Sequence, residues 1–202
     1  MNVLKLSLTA LLAAGLLMGC ASPSPAPVLL TLPPTAAPLV SAPPATPTSA
    51  PLLAVRRVNI PEYLVARRVR YRADASTLAE WPNTFWAERI EIGVSREFVS
   101  ALRQQLPGWA LCDTNCGDAV PALSLQVDLV PMDFVRSAGR LQARARIVLS
   151  SGSVPPRELK SLEASYDLPA NGDTAQAHAQ AISALIRQVA QAVAPMVRDA
   201  PR

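Results

Sequence analysis

The chain has 202 residues, with 19 lysines and arginines against 15 aspartates and glutamates and a formal net charge of +4. So small a basic excess, mixed with acids and accompanied by only 4% aromatic residues, disfavours a nucleic-acid-binding protein. The length suits one folded domain.

The amino terminus has the order of an export signal. Lys5 precedes an apolar stretch from Leu6 to Leu17, and a small-residue cleavage site follows. The apolar stretch is shorter than the roughly 20 residues that span a bilayer. The ending Leu-Met-Gly-Cys resembles a bacterial lipobox, which implies a lipoprotein signal peptide over residues 1–19 and lipidation of Cys20. The alternative is an ordinary cleaved signal with a chance cysteine.

Lipidation of Cys20 would anchor the chain without a transmembrane helix, because two or more acyl chains hold a protein stably at a membrane. In lipoproteins of this type, an Asp after the cysteine tends to retain the protein in the inner membrane. Ala21 stands there instead, which favours the periplasmic face of the outer membrane. Apart from the covalent lipid, no cofactor is expected.

Residues 21–55 carry no charged side chain and contain half of the 20 prolines, a composition typical of extended linkers. The apolar run 28–32 breaks this pattern and is a candidate strand. If it pairs, the lipidated tether is residues 20–27 and reaches roughly 20 Å, whereas otherwise it runs to Leu52 and reaches on the order of 100 Å. We favour pairing, with a first strand and a Pro-rich linker over 28–52 before a single domain over 53–198.

The next predicted elements alternate between short strands and one helix. Strands are predicted over 52–59, 68–72 and 77–81, with Pro61 breaking the chain after the first because it cannot donate to a ladder. Apolar residues recur every four positions from Ile90 to Leu106 and predict a helix over 88–106. Pro107-Gly108 ends that helix, and a strand begins at Trp109.

A disulfide is predicted between Cys112 and Cys116. An exported compartment permits disulfides, and the segment 112–118 is rich in turn-forming residues. Such a short closed loop gives modest stabilisation. A metal site and a redox pair are the disfavoured alternatives, since His178 is the one histidine and three residues separate the two cysteines.

The carboxyl-terminal part shows three runs of alternating apolar and polar residues, over 123–129, 141–149 and 162–168. They predict an antiparallel meander with one buried and one wet face. A last amphipathic helix is predicted over 174–197. Together the elements predict an α+β fold of two layers, in which a mostly antiparallel sheet carries two main helices on one face.

No nucleophile elbow, phosphate loop or metal motif is found in the sequence. His178 lies on the apolar stripe of the last helix, which favours a packed histidine over a general base. Arg144 and Arg146 are expected to pair across strands with Glu163 or Asp167 on the wet face. We therefore predict no catalytic residue, no metal ligand and no enzymatic activity.

Four segments stand in an order that resembles a known family. They are Val58–Leu64, Val69–Arg72, Phe85–Glu88 and Leu106–Trp109. Behind a lipobox, this order resembles the ABC-type transport auxiliary lipoproteins, the PqiC-type proteins, over about residues 28–197.

The resemblance implies a non-catalytic envelope lipoprotein that serves as accessory or docking subunit of an MCE-type ABC lipid transport system. Its expected partners are an MCE-domain protein and the membrane that holds its anchor, and a homo-oligomer would suit a ring-shaped partner. Tyr63, Trp81, Phe85 and Trp86 lie outside clear periodic stripes and are candidate interface anchors. The alternative is that Trp86 and Tyr63 close the end of the core.

Two other functions stay open at this point. A lipid- or lipoprotein-binding carrier would need an apolar cavity. An envelope hydrolase would need a cleft with polar groups converging around His178.

Overall fold

The computed structural model describes residues 25–35, 50–113 and 116–201. Within these ranges the chain forms eight strands and two α-helices. The strands are β1 Val28–Leu30, β2 Leu52–Val55, β3 Arg68–Arg72, β4 Leu78–Trp86, β5 Ala110–Cys112, β6 Leu123–Val135, β7 Arg140–Ser151 and β8 Glu158–Pro169. The helices are α1 Ile90–Gln105 and α2 Ala175–Arg198. The predicted α+β class is confirmed.

All eight strands form one sheet in the order β1-β4-β3-β6-β2-β5, with β7 and β8 following on the other side of β6. The predicted antiparallel meander β6–β7–β8 is present. Four shorter pairs, β1–β4, β2–β5, β2–β6 and β3–β6, are parallel, which makes the sheet more mixed than expected. Alternation of apolar and polar residues shows which side chains share a face of the sheet. It does not show whether the neighbouring strand runs parallel or antiparallel.

Strand β6 continues beyond its predicted end. Its register with β7 shifts between Leu129 and Met132, around the exposed Pro131. A bulge accommodates a proline within a strand and resets which side chains face the core. Met132 and Phe134 are consequently buried after the shift, although the simple alternation ends at Leu129.

The wet face of the meander differs from expectation in its ion pairs. Arg146 lies opposite Glu163 in the register, while Arg144 lies opposite a serine. The close ion pair to Asp167 is made by Arg140, at 2.6 Å. Among the described residues, no ion pair joins Arg144 or Arg146 to a carboxylate.

Both helices share one hydrophobic core with the apolar face of the sheet. Helix α2 packs on β7 and β8 and against α1 and β1. It begins after Thr174, whose Oγ1 accepts a hydrogen bond from the Ala177 amide at 3.0 Å, an N-cap of the usual kind. The core is centred on large, fully buried side chains that include Leu53, Phe98 and Leu141.

The segment 25–35 is an integral part of the sheet and core. Strand β1 runs parallel to β4, so the favoured pairing is present. Thr35 donates from its amide to Glu97 Oε2 at 2.9 Å and from its hydroxyl to the Glu97 carbonyl at 2.7 Å. Ser183 of α2 donates to the carbonyl of Pro33 at 2.9 Å. The predicted signal peptide, Cys20 and most of the Pro-rich linker lie outside the described residues.

Candidate functional site

The four aromatic residues proposed as interface anchors occupy two elements. Tyr63 lies in the 3-10 turn Glu62–Leu64. Trp81, Phe85 and Trp86 all lie in β4, which continues five residues beyond the strand predicted over 77–81. Strand β4 contains Pro82 and Asn83, and Asn83 has a φ of 48°. Because neither residue is typical of a strand, the second half of β4 could not be predicted from the sequence.

Trp81 and Trp86 belong to the core. Trp81 is 6% exposed and Trp86 is 4% exposed. Trp81 lies 4.9 Å from the Tyr71 ring centroid, and Trp86 meets His178 edge-on at 6.3 Å. Both side chains belong to the hydrophobic core, so these two tryptophans are corrected from partner anchors to core residues.

Phe85 is half-buried and lies on the opposite face from Trp86, since successive strand residues alternate faces. The guanidinium carbons of Arg68 and Arg67 lie 5.2 and 6.0 Å from its ring centroid. In the register, Phe85 has Arg68 on one side and Leu29 on the other, and Leu29 is 56% exposed. We call Leu29, Arg67, Arg68 and Phe85 the Phe85 patch.

Tyr63 is fixed as a structural corner. Its hydroxyl donates to Asp133 Oδ1 at 2.9 Å, and Arg72 donates to the same oxygen at 3.1 Å. Arg70 donates to the Tyr63 carbonyl at 2.9 Å. Burial, together with the nearby Asp133 carboxylate, raises the pKa of Tyr63 above its usual range. The tyrosine joins the 3-10 turn to β6, which favours a structural role for it.

Asn83 secures the start of the described chain. Its Nδ2 donates to the carbonyls of Pro25 and Ala26, at 2.7 and 3.0 Å. The positive φ of Asn83 is one that asparagine adopts more readily than most residues. The chain is therefore attached to the domain from Pro25 onward, five residues after Cys20.

A cavity of about 300 Å³ lies where β4 leads into α1. Trp86 forms part of its wall, with Val65, Arg67 and Glu91 among the other lining residues. The Arg89 guanidinium lies against the Glu91 carboxylate, so the charges in this cavity are largely compensated.

His178 does not line the cavity where β4 leads into α1. It is 3% exposed and stacks on Phe134 with the ring centroids 4.6 Å apart. Burial lowers its pKa to about 3, which leaves the imidazole neutral at pH 7. Its surroundings are those of a packed core histidine.

A larger groove of about 520 Å³ runs between α1 and the strands β2 and β5. We call it the Arg groove, because its lining includes four arginines: Arg56, Arg57, Arg96 and Arg103. Sequence reasoning did not find it. The available signal was the seven-residue spacing of Arg96 and Arg103, which places both on one helix face, together with the adjacent pair Arg56-Arg57.

One wall of the Arg groove ends at the predicted cysteine pair. Cys112 lines the groove and is joined to Cys116 by a disulfide, with the two Cα atoms 5.3 Å apart. Cys112 is the last residue of β5, which is an outer strand of the sheet. The disulfide loop thus follows directly on this edge strand.

With this geometry in view, comparison with known proteins identifies the family. The family model described as "ABC-type transport auxiliary lipoprotein component" matches residues 30–194. The chain belongs to this family. The match contains α1 and seven of the strands entirely and α2 up to residue 194, and no curated protein matches the chain significantly.

Solved structures support the same fold. A crystal structure of an uncharacterized protein has a TM-score of 0.67 and 19% identity, covering 86% of this chain and 99% of the other. Protein XCC0632 from Xanthomonas campestris, of the family DUF330, has a TM-score of 0.59 and 18% identity, covering 86% and 93%. At these identities the likeness concerns the fold alone.

Two kinds of feature are absent from the described residues. No helix in that part of the chain combines the length and apolar character needed to cross a membrane. No group of three or more His, Cys, Asp or Glu side chains there could hold a metal ion.

Proposed function

We propose that this auxiliary lipoprotein is the non-catalytic docking subunit of an MCE-type ABC lipid transport system, held at the periplasmic face of the outer membrane by lipidated Cys20. Its partner would be the MCE-domain protein that carries lipid between the two membranes. The observation that carries the proposal is the attachment of Pro25 and Ala26 to Asn83, taken with membership of the family.

The attachment makes the anchor short. Pro25 lies five positions after Cys20, and a fully extended chain spans at most about 18 Å over that length. A lipidated Cys20 would thus keep the β1 edge of the domain close to the bilayer. A partner that delivers lipid to that membrane would meet this part of the domain first.

The Phe85 patch has the composition of a protein-binding surface. Aromatic residues and arginines are enriched among the side chains that dominate binding energies, and the guanidinium groups of Arg67 and Arg68 both lie close to the Phe85 ring. Leu29 adds exposed apolar surface on β1, an edge strand of the sheet.

Affinity purification of the lipidated protein from cell envelopes tests this role. We expect an MCE-domain protein to accompany it and to be lost when the double variant Leu29→Ser, Phe85→Ser is used. Leu162→Ser is the matched control, because Leu162 is also exposed, at 36%, but lies on the remote edge strand β8. Absence of any MCE-domain protein from the unaltered sample would contradict the proposal.

Cys20→Ser separates the anchor from the docking surface. We expect a folded, freely released chain that no longer supports transport, since only the tether has changed. Full transport with this variant would show that the tether is dispensable. Homo-oligomerisation stays a prediction, and light scattering of the purified chain would measure it.

A further inference from the structure

The Arg groove carries an inference beyond docking, since a subunit that only docks needs no ligand site of its own. We propose that this groove binds the anionic headgroup and the adjoining acyl chain of a phospholipid. The headgroup would contact Arg57 and Arg103, and the chain would lie along Ile92, Val99 and Leu111.

The charge of the groove points to an anionic ligand. Arg96 is compensated, because its Nη1 donates to both oxygens of Glu88, at 2.8 and 2.6 Å. Arg57 and Arg103 are exposed, and within the described ranges no carboxylate lies within ion-pair distance of either. Guanidinium groups are well suited to bind phosphate because their planar donors can form two parallel hydrogen bonds.

Arg56 and Asp113 complete the charged lining. Arg56 donates to Gln126 Oε1 at 3.5 Å and has no ion pair among the described residues. Asp113 also lines the groove. Because Arg96 is already paired with Glu88, Arg56, Arg57 and Arg103 against Asp113 leave the lining with a positive excess.

The apolar part of the lining points to an acyl chain. Ile92 is 41% exposed, although it lies on a helix whose other large aliphatic side chains are mostly buried. Val99 and Leu111 are half-buried beside it and line the same groove. A volume of about 520 Å³ falls in the range typical of small-molecule sites.

An added partner strand fits this groove less well than a small amphiphile. Strand β5, which borders the groove, has three residues, and the Cys112–Cys116 disulfide closes the chain directly after it. Short edge strands are among the features by which proteins discourage strand addition. The groove therefore offers guanidinium groups and apolar side chains more than a free strand edge.

The test uses the exported chain from residue 20 onward with Cys20→Ser, so that no attached lipid competes. Dodecyl phosphate, kept below its micelle concentration, is titrated by calorimetry at physiological salt. We expect one binding site, with inorganic phosphate and dodecyl maltoside each at least about tenfold weaker, because each supplies only one half of the recognition. Equal binding of inorganic phosphate or of dodecyl maltoside would overturn the proposal.

Paired variants locate the site. Arg57→Gln with Arg103→Gln should weaken dodecyl phosphate binding by about tenfold or more, and Ile92→Ser should weaken it severalfold. Arg144→Gln with Arg146→Gln removes the same charge from the wet face of β7 and should change binding less than about twofold. An equal loss in this control pair would reveal non-specific charge attraction and overturn the assignment.

Two further measurements guard the interpretation. Thermal unfolding checks that each variant is folded. If the double variant is not folded, Arg103→Gln is tested alone, since glutamine is a good helix former. A Glu-rich peptide that displaces dodecyl phosphate and binds more tightly would overturn the lipid assignment in favour of a protein partner. The MCE-domain protein is absent from every arm, so these outcomes are independent of the docking role.

Discussion

The two parts of this sheet are held together in different ways. The carboxyl-terminal part, β6–β8 with α2, is a regular meander whose strands pair with their neighbours along the chain. The amino-terminal part, β1–β5 with α1, contains β1 and β5, which pair only in parallel, and depends on single polar contacts between distant residues. Thr35 and Glu97 are 62 residues apart, and Pro33 and Ser183 are 150 apart.

The difference suggests that the two parts have different roles. The attachment of Pro25 to Asn83, the Phe85 patch and the Arg groove all lie mainly on the amino-terminal part, while the meander and α2 form the regular scaffold beside them. Local alternation can build a scaffold, whereas a surface built from separate segments needs individual contacts. If this is correct, substitutions in the two parts should have different effects on stability.

The largest expected effect is on the scaffold. Phe134 of β6 is fully buried and stacks on His178. Phe134→Ala should lower the free energy of unfolding by about 3–5 kcal/mol, as for other large-to-small changes in a core. Denaturant unfolding measures this, and a loss below about 1 kcal/mol would mean that the meander does not support the whole fold.

The second prediction concerns His178, where the two parts meet. Its pKa of about 3 lies below the usual value near 6.5, so its stabilising contribution is complete above pH 6.5 and is lost as the pH falls toward 3. At pH 5 the free energy of unfolding should have dropped by about 2 kcal/mol from this group alone. His178→Leu should remove this dependence between pH 6.5 and 5, and an unchanged slope would contradict the assignment.

The third prediction separates the amino-terminal segment from the scaffold. Thr35→Val removes the hydroxyl that donates to the Glu97 carbonyl and should weaken the local structure by about 1–2 kcal/mol. Hydrogen exchange should rise over residues 28–35 and stay unchanged in β6–β8. Ser165→Ala, on the exposed side of β8, is the control, and faster exchange throughout the sheet would argue against two distinct parts.

The smallest effect is expected at the corner between the two parts. Tyr63→Phe removes one hydrogen bond to Asp133 and should cost about 1 kcal/mol. Since the pKa of Tyr63 is raised, its contribution is present below pH 10 and is lost as the pH rises through the folded-state pKa. The free energy of unfolding of Tyr63→Phe should therefore fall less between pH 7 and alkaline pH than that of the unaltered protein. An identical fall in the two proteins would show that this hydrogen bond does not stabilise the fold.

The regular elements were largely predictable from the sequence. Alternating apolar and polar residues predicted the meander, and the helical spacing of apolar residues predicted both helices. The resemblance in segments such as Val58–Leu64 predicted the family. The second half of β4 was hidden by Pro82 and Asn83, and the burial of Trp81 and Trp86 was hidden with it. No local pattern shows that Arg57 and Arg103 face one groove, because their meeting depends on how α1 packs beside β2.

Cross-linking at Phe85 tests the docking account most directly. A photoreactive benzoylphenylalanine replaces Phe85 in the lipidated chain in living cells, with the same replacement at Leu162 as the control on the remote edge. The account predicts a cross-link to an MCE-domain protein from position 85 and none from position 162. Cross-links from position 162 alone, or none to an MCE-domain protein from either position, would contradict it.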